Sequence, residues 1–158
     1  MKIKDIAKAI LIWGAVSEEG INRLKEDKAL AIVPENRPYL IGLKYNACLL
    51  KRENINFVYC TDNMLGFLFY KAKIRKTLFF YKERKEKGVV GICGSLYMLL
   101  LSKLHNIPIE VISQGEVNFR FLDKDVSSLG GKSFILGETD KSCIIGADDE
   151  LVNWEVLQ

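Results

Sequence analysis

Three short stretches carry the residue types that could do chemistry: Glu35-Asn36-Arg37-Pro38, Thr61-Asp62-Asn63 and Gly88-Val89-Val90-Gly91-Ile92-Cys93-Gly94-Ser95. In the third, small residues lead into an apolar helix-like run, which lets backbone N–H groups and a positive helix end approach an anion. Its spacing is neither the GxGxxG of dinucleotide-binding turns nor the GK[ST] ending of a P-loop. Close packing of a helix on a sheet explains Gly91 and Gly94 equally well. Arg37 can clamp a phosphate or carboxylate with its two-pronged guanidinium, or pair with Glu35 or a carbonyl, and the structural role leads. An aspartate placed before a helix, as Asp62 is, serves as an N-cap before it serves as an acid. Cys93 is the one thiol at a helix amino end, where the dipole lowers a thiol's pKa; a small residue packed against strands is the simpler reading. His105, the single histidine, ends the helix-like run away from these stretches, where a structural role fits. A Ser-His-Asp or Cys-His arrangement would have to recruit it from the wrong side of the sheet. Arg37, Asp62, Gly91, Gly94 and Ser95 are therefore the candidate ligand-binding residues, and no catalytic or metal-binding residue is assigned.

The elements that must position these residues alternate along the chain. Ala9-Ile10-Leu11-Ile12-Trp13 reads as a strand buried on both faces. Ser17 then offers an N-cap, with Glu18 and Glu19 in the first turn of a helix. Ala29–Val33 reads as a second strand, Leu40–Lys51 as a helix and Ile55–Cys60 as a third strand, followed by a helix over Met64–Tyr70. Leu78–Tyr81 reads as a fourth strand, then come a charged loop, a helix over Gly94–Leu104 and a fifth strand over Ile107–Ile112. Strand, helix, strand in this order calls for right-handed crossovers and a mostly parallel sheet with helices on both faces. The expected fold is Rossmann-like, a three-layer α/β/α arrangement whose ligands bind beyond the carboxyl ends of the strands. Beyond Ile112 the pattern yields only short strands, at Phe119, Phe121, Phe134-Ile135-Leu136 and Cys143-Ile144-Ile145, broken by Gly130-Gly131 and Gly146 and read as extra edge strands or a small hairpin.

With 158 residues the chain matches one domain, a single Rossmann-like unit over 1–158, and its 49% hydrophobic and 27% charged composition is that of a globular protein. Its longest apolar stretch is far short of the ~18–20 residues of a membrane-spanning helix, and the start of the chain carries no cleavage-site pattern, so a cytoplasmic location is expected. The four cysteines are widely spaced without a CxxC pair, which argues for buried thiols rather than zinc. Residues 71–87 hold eight Lys/Arg against Glu83 and Glu86, a local +6 within a total of +3, while the chain after Glu138 is acidic. The plain reading of that basic run is a solvated strand-and-loop edge whose lysines discourage pairing, and no direct nucleic-acid binding is expected.

Taken in order, Val33-Pro34-Glu35-Asn36-Arg37-Pro38-Tyr39-Leu40-Ile41-Gly42, Tyr59-Cys60-Thr61-Asp62-Asn63-Met64, Gly91-Ile92-Cys93-Gly94-Ser95 and His105-Asn106-Ile107-Pro108-Ile109-Glu110-Val111 resemble a known family. It is the carboxy-terminal Rossmann-like domain shared by methylthioribose-1-phosphate isomerase, ribose-1,5-bisphosphate isomerase and the regulatory subunits of translation initiation factor 2B. The resemblance covers roughly residues 8–112. In that family a glutamate-x-arginine-proline turn, an aspartate after the next strand and a glycine-threonine or glycine-serine helix start recur in this order.

Departures from the family pattern bear on function. The isomerases' catalytic cysteine lies in the turn matching Trp13-Gly14-Ala15-Val16-Ser17, where this chain has none. Their catalytic aspartate follows the strand matching Leu78–Tyr81, where Tyr81-Lys82-Glu83-Arg84 stands instead. A polar position of the turn is Ile41, and an asparagine-lysine pair before the helix start is Gly91-Ile92. Ile144-Ile145-Gly146-Ala147-Asp148 is like the isomerases' glycine-alanine-aspartate segment but comes too late in the chain to match it. The resemblance thus implies a stand-alone, non-catalytic relative without a cofactor. Its expected partners are a small phosphorylated ligand, a second copy of the chain or a related subunit. The alternatives are an assembly subunit of the initiation-factor branch and an isomerase-like enzyme with relocated residues, such as Cys93 or Asp62.

Overall fold

The structure, a computed structural model, describes residues 5, 6, 8–117 and 149–158 together with the backbone of 128–129 and 132–133. Strands β1 (Ala9–Trp13), β2 (Ala31–Pro34), β3 (Phe57–Cys60), β4 (Ile74–Tyr81) and β7 (Ile109–Ser113) form an all-parallel sheet in the order β3-β2-β1-β4-β7. The first connections run one way from β1 and the later ones run the other way through β4, so the chain reverses between β1 and β4. Crevices for ligands open at such a reversal, at the carboxyl ends of the strands.

Alternation along β1 divides the core in two. Ile10 and Ile12 face α1 (Glu18–Asp27) and α2 (Ala47–Arg52) through Ile21, Leu24 and Leu50. Ala9, Leu11 and Trp13 face α3 (Met64–Tyr70) and α4 (Ser95–Leu104) through Leu65, Leu68, Met98 and Leu99. All five β1 residues are buried, as their unbroken apolar run requires. The three-layer expectation therefore holds.

Local sequence accounts for most boundaries. Ser17 caps α1 by accepting from Gly20 N, with Glu18 and Glu19 in the first turn. The Leu40–Lys51 helix enters through a π-helical segment, Gly42–Asn46, before α2. Gly42 lies hard against the end of β2: a Cβ there would stand 1.7 Å from the Pro34 carbonyl oxygen. The second strand starts two residues later than expected and runs to Pro34.

Three expectations are corrected. The charged stretch after Tyr81 is not a loop but a hairpin, β5 (Glu83–Lys85) paired antiparallel with β6 (Gly88–Gly91), and β6 pairs in turn with β10 (Glu150–Asn153). Alternating charges on an exposed strand hide its period from a hydrophobicity reading. The basic run is a sheet edge only in part: β5, with Arg84 and Lys85, is the exposed edge strand of the β10-β6-β5 sheet, whereas β4 lies between β1 and β7, where Lys76 meets Asp27 and Glu110, and Arg75 meets Asp27. Cys48 is exposed on α2, and Cys60 and Cys93 are only half-buried, so the uniform burial of the cysteines fails. Cys143 and the strands expected at Phe119, Phe121, 134–136 and 143–145 lie outside the described residues. A short hairpin does occur between β8 (Ser128–Leu129) and β9 (Lys132–Ser133), and β10 is followed by α5 (Trp154–Leu157).

Candidate functional site

A cleft of about 540 Å³ opens at the carboxyl edge of the sheet. Trp13 enters it from the end of β1, Glu35 and Arg37 from the turn after β2, and Thr61, Asp62 and Asn63 from the turn after β3. Cys93, Gly94 and Tyr97 close it from the start of α4.

Asp62 does not cap α3, whose N-cap Asn63 makes no side-chain bond. Its carboxylate reaches across the cleft floor instead. Oδ1 accepts the Asn36 N–H and Oδ2 the Arg37 N–H, each at 2.8 Å. The reason is geometric: β2 and β3 are neighbours in register, with Pro34 opposite Cys60, so the turns that follow them meet. Burial pushes the Asp62 carboxyl up, against the pull of these two amides, and the nearby Glu35 adds to the rise. The same acidic, half-buried setting pushes the Cys60 thiol and the Tyr59 hydroxyl up to about 12, burial being the larger cause in both. That shift favours the neutral form of the Cys60 thiol.

The turn so pinned presents Arg37. Its Nε donates to Glu35 Oε2 at 2.7 Å and its Nη2 to Glu35 Oε1 at 3.2 Å, a two-pronged pair that raises the guanidinium pKa further. The pairing with Glu35 expected of a structural arginine is present, and the Arg37 side chain still keeps 40% of its exposure at the cleft mouth.

The start of α4 is occupied by the chain itself. Glu150 of β10 accepts from Gly94 N at 2.7 Å and from Leu96 N at 2.8 Å, so a carboxylate already satisfies the positive helix end. Gly94 lines the cleft with φ of +81°, and a Cβ there would come within 2.8 Å of the Trp13 ring. Gly91 and Ser95 lie beneath the cleft rather than on its wall. A Cβ on Gly91 would strike the Ser95 hydroxyl at 2.4 Å, and that buried hydroxyl donates to Ile92 O and accepts from Trp13 Nε1. Of the five candidate residues, the fold brings Arg37, Asp62 and Gly94 to one cleft and sets Gly91 and Ser95 behind it.

Cys93 joins Asp62 on the cleft wall, whereas His105 ends α4 and stacks on Phe69 with ring centroids 5.6 Å apart, away from it. The turn after β1 is fixed by Asn46, which donates to Gly14 O and accepts from Val16 N. Sequence reasoning missed Asn46 and Glu150, because their partners lie 30 to 56 residues away and no local spacing marks them. Trp13 and Tyr97 also escaped notice as cleft residues, whereas Thr61 and Asn63 belong to a stretch that the sequence places at this edge. Among the described residues no group of three or more His, Cys, Asp or Glu is placed to hold a metal, and no helix is long and apolar enough to cross a membrane.

A parallel sheet that reverses between β1 and β4, with its crevice at the carboxyl ends, defines a Rossmann-like domain. No family model matches the sequence. Over 101 residues, 63% of this chain, it is 33% identical to the methylthioribose-1-phosphate isomerase of Sulfurihydrogenibium sp. (strain YO3AOP1), of which it spans 30%. Among solved structures, 98% of the chain superimposes on half of the 5-methylthioribose 1-phosphate isomerase of Pyrococcus horikoshii, with a TM-score of 0.70 and 12% identity. It also superimposes on 52% of the delta subunit of translation initiation factor eIF-2B from A. fulgidus, with a TM-score of 0.72 and 15% identity. Over this partial region the chain is similar in sequence to a methylthioribose-1-phosphate isomerase, and it shares its fold with such isomerases and with an initiation factor 2B subunit. It spans no more than about half the length of these relatives.

Proposed function

We propose that this chain is a non-catalytic member of its family that acts in assembly, docking a second copy of itself through the outer face of α3 and α4, with the cytoplasm as its setting. The observation that carries this reading is apolar exposure. Phe67 and Tyr70 on α3 and Leu96, Tyr97, Leu100 and Leu104 on α4 are 42–74% exposed. Single exposed apolar residues are ordinary, but these six stand on two helices packed together, with Tyr97 beside Gly66. At roughly 200 Å² per large side chain they offer about 650 Å², against about 800 Å² per partner in a standard interface. One of the solved neighbours is by name a subunit.

A non-catalytic role is supported by the two places where the isomerase resemblance looks for proton-moving groups. The turn Trp13–Ser17 is packed glycine, alanine and valine held by Asn46, and β4 ends in Tyr81. Asp62 and Cys93 share the cleft, but both Asp62 oxygens are committed to backbone amides.

Sedimentation velocity over a concentration series tests the docking reading. The wild-type chain is expected to sediment as a dimer, and Leu100→Asp, which charges an already exposed position, as a monomer. A wild-type chain that stays monomeric at high concentration overturns it.

A second reading has its own observation, the preorganised Glu35–Pro38 turn that holds Arg37 at the cleft mouth. A small phosphorylated ligand would meet Arg37 there, with Gly94 giving only a wall without a side chain because Glu150 holds its amide, Asp62 fixing the turn, and Gly91 and Ser95 packed beneath. Titration calorimetry with ribose phosphates and nucleotides tests it, and flat traces for all of them remove it.

A further inference from the structure

The chain between the end of β2 and the start of α2 leaves ordinary backbone more than once. Asn36 and Leu40 are left-handed, with φ of +54° and +56°, and Gly42–Asn46 winds as a π-helix. Asparagine tolerates the left-handed region, a leucine there is an outlier, and π turns concentrate at functional sites. Asn36 is also 1% exposed, and neither Nδ2 nor Oδ1 of its side chain has a hydrogen-bond partner among the described residues. A carboxamide buried in this way is a cost that surrounding bonds must offset. Those bonds stand at both ends of the segment. Asp62 accepts the Asn36 and Arg37 amides, and the Glu35 carbonyl accepts from Gly42 N at 3.0 Å. Tyr45 Oη donates to Val16 O at 3.2 Å, and Asn46 Nδ2 donates to Gly14 O at 2.8 Å. Residues 35–46 thus carry Arg37 at one end and grip the turn beside Trp13 at the other, and both Arg37 and Trp13 line the cleft.

We propose that residues 35–46 form a two-position gate on the cleft, with Asn36 as its positioning residue. In the observed position the Arg37 guanidinium is paired with Glu35. In the second, the Asn36 and Arg37 amides leave Asp62, the Asn36 carboxamide turns out to water, and the guanidinium is released to an anionic group such as a phosphoryl. The carboxylates of Asp62 and Glu35 favour the first position, while the left-handed backbone and the orphaned carboxamide oppose it. Opposed contributions of this kind let a minor position hold a measurable population. A glycine in place of Asn36 would adopt the left-handed region without that cost and would bring no carboxamide, so the turn would stay in the first position. The bonds to Gly14 and Val16 tie the same motion to the turn that follows Trp13. What Arg37 meets rests on the second reading above; the motion rests on the backbone and burial of the segment alone.

The test is nitrogen-15 relaxation dispersion on the full chain, which reads exchange between positions on the microsecond-to-millisecond scale. The wild type is expected to show exchange at the amides of Asn36, Arg37, Leu40 and Val16 and none at Leu11 in the middle of β1, a pattern that a purely structural turn would not produce. Asn36→Gly is expected to cut that exchange on the order of tenfold and to weaken binding of ribose 5-phosphate by a similar factor, because it depopulates the position that frees Arg37. Its thermal midpoint should rise by about 3 °C, as the left-handed cost and the orphaned group are removed. Flat dispersion across residues 35–46 of the wild type overturns the gate, and that measurement needs no variant to fold. Exchange that persists unchanged in a folded Asn36→Gly chain overturns it as well. If the exchange is present and Asn36→Gly quenches it, while ribose 5-phosphate gives flat calorimetric traces with the wild type, the ligand reading falls and the gate stands.

Discussion

The two edges of the parallel sheet use the same charged residue types for different work. At the amino edge, charges pair with one another on the surface: Arg23 with Glu110, Lys76 with Glu110 and Asp27, Arg75 with Asp27, and Lys25 with Glu53 beside a hollow of about 260 Å³. At the carboxyl edge, carboxylates are spent on backbone amides. Asp62 holds the turn after β2, and Glu150 holds the start of α4. Exposed ion pairs contribute little each, because solvent and salt screen them and two long side chains must be ordered. A carboxylate that satisfies two amides fixes a loop that otherwise has no partner for those groups. The carboxyl edge therefore holds its turns in place, while the amino edge presents paired surface charge.

Removing one aspartate from each edge should separate the two by size. Asp62→Ala leaves the Asn36 and Arg37 amides without their acceptor, and a loss of about 3 kcal/mol is expected in denaturant unfolding. Asp27→Ala, whose partners are partly exposed, should cost about 0.5–1 kcal/mol. Equal losses would erase the distinction.

A smaller effect is the direction of the pH dependence. At the amino edge burial raises the Asp27 pKa, but Arg75 and Lys76 outweigh it and hold the carboxyl below its ordinary 3.8. Its contribution to stability is present above pH 3.8 and is lost as pH falls through the folded value. At the carboxyl edge, burial holds Asp62 above 3.8. That carboxyl binds its proton more readily in the folded chain, so it contributes most below pH 3.8, and this part is lost as pH rises through the folded value. Urea unfolding between pH 3 and 6 should thus show Asp27→Asn flattening the loss on the acid side, and Asp62→Asn flattening a loss of the opposite sign. Slopes of the same sign for both would contradict the assignment.

Local order was readable from the sequence; long-range use of side chains was not. β1 and α3 carry the bounds that their apolar runs predict, and Ser17 caps α1 as its position suggests. Asp62 was misplaced as a cap because the rule for aspartates before helices is local, whereas its partners stand 25 and 26 residues back on a neighbouring turn. Glu150 sits in a stretch that reads only as acidic, and nothing in its spacing points to Gly94. Gly91 and Gly94 were open to two explanations, and atomic detail adds a reason of packing for each: Ser95 leaves no room for a side chain at Gly91, and Trp13 leaves none at Gly94.

We propose that this chain keeps the fold it shares with the isomerases without their chemistry. The direct test incubates the full chain with methylthioribose 1-phosphate and follows the sugar by NMR, beside a Cys93→Ser variant. No conversion above the buffer rate is predicted for either protein. Conversion by the wild type that disappears in Cys93→Ser would contradict the account.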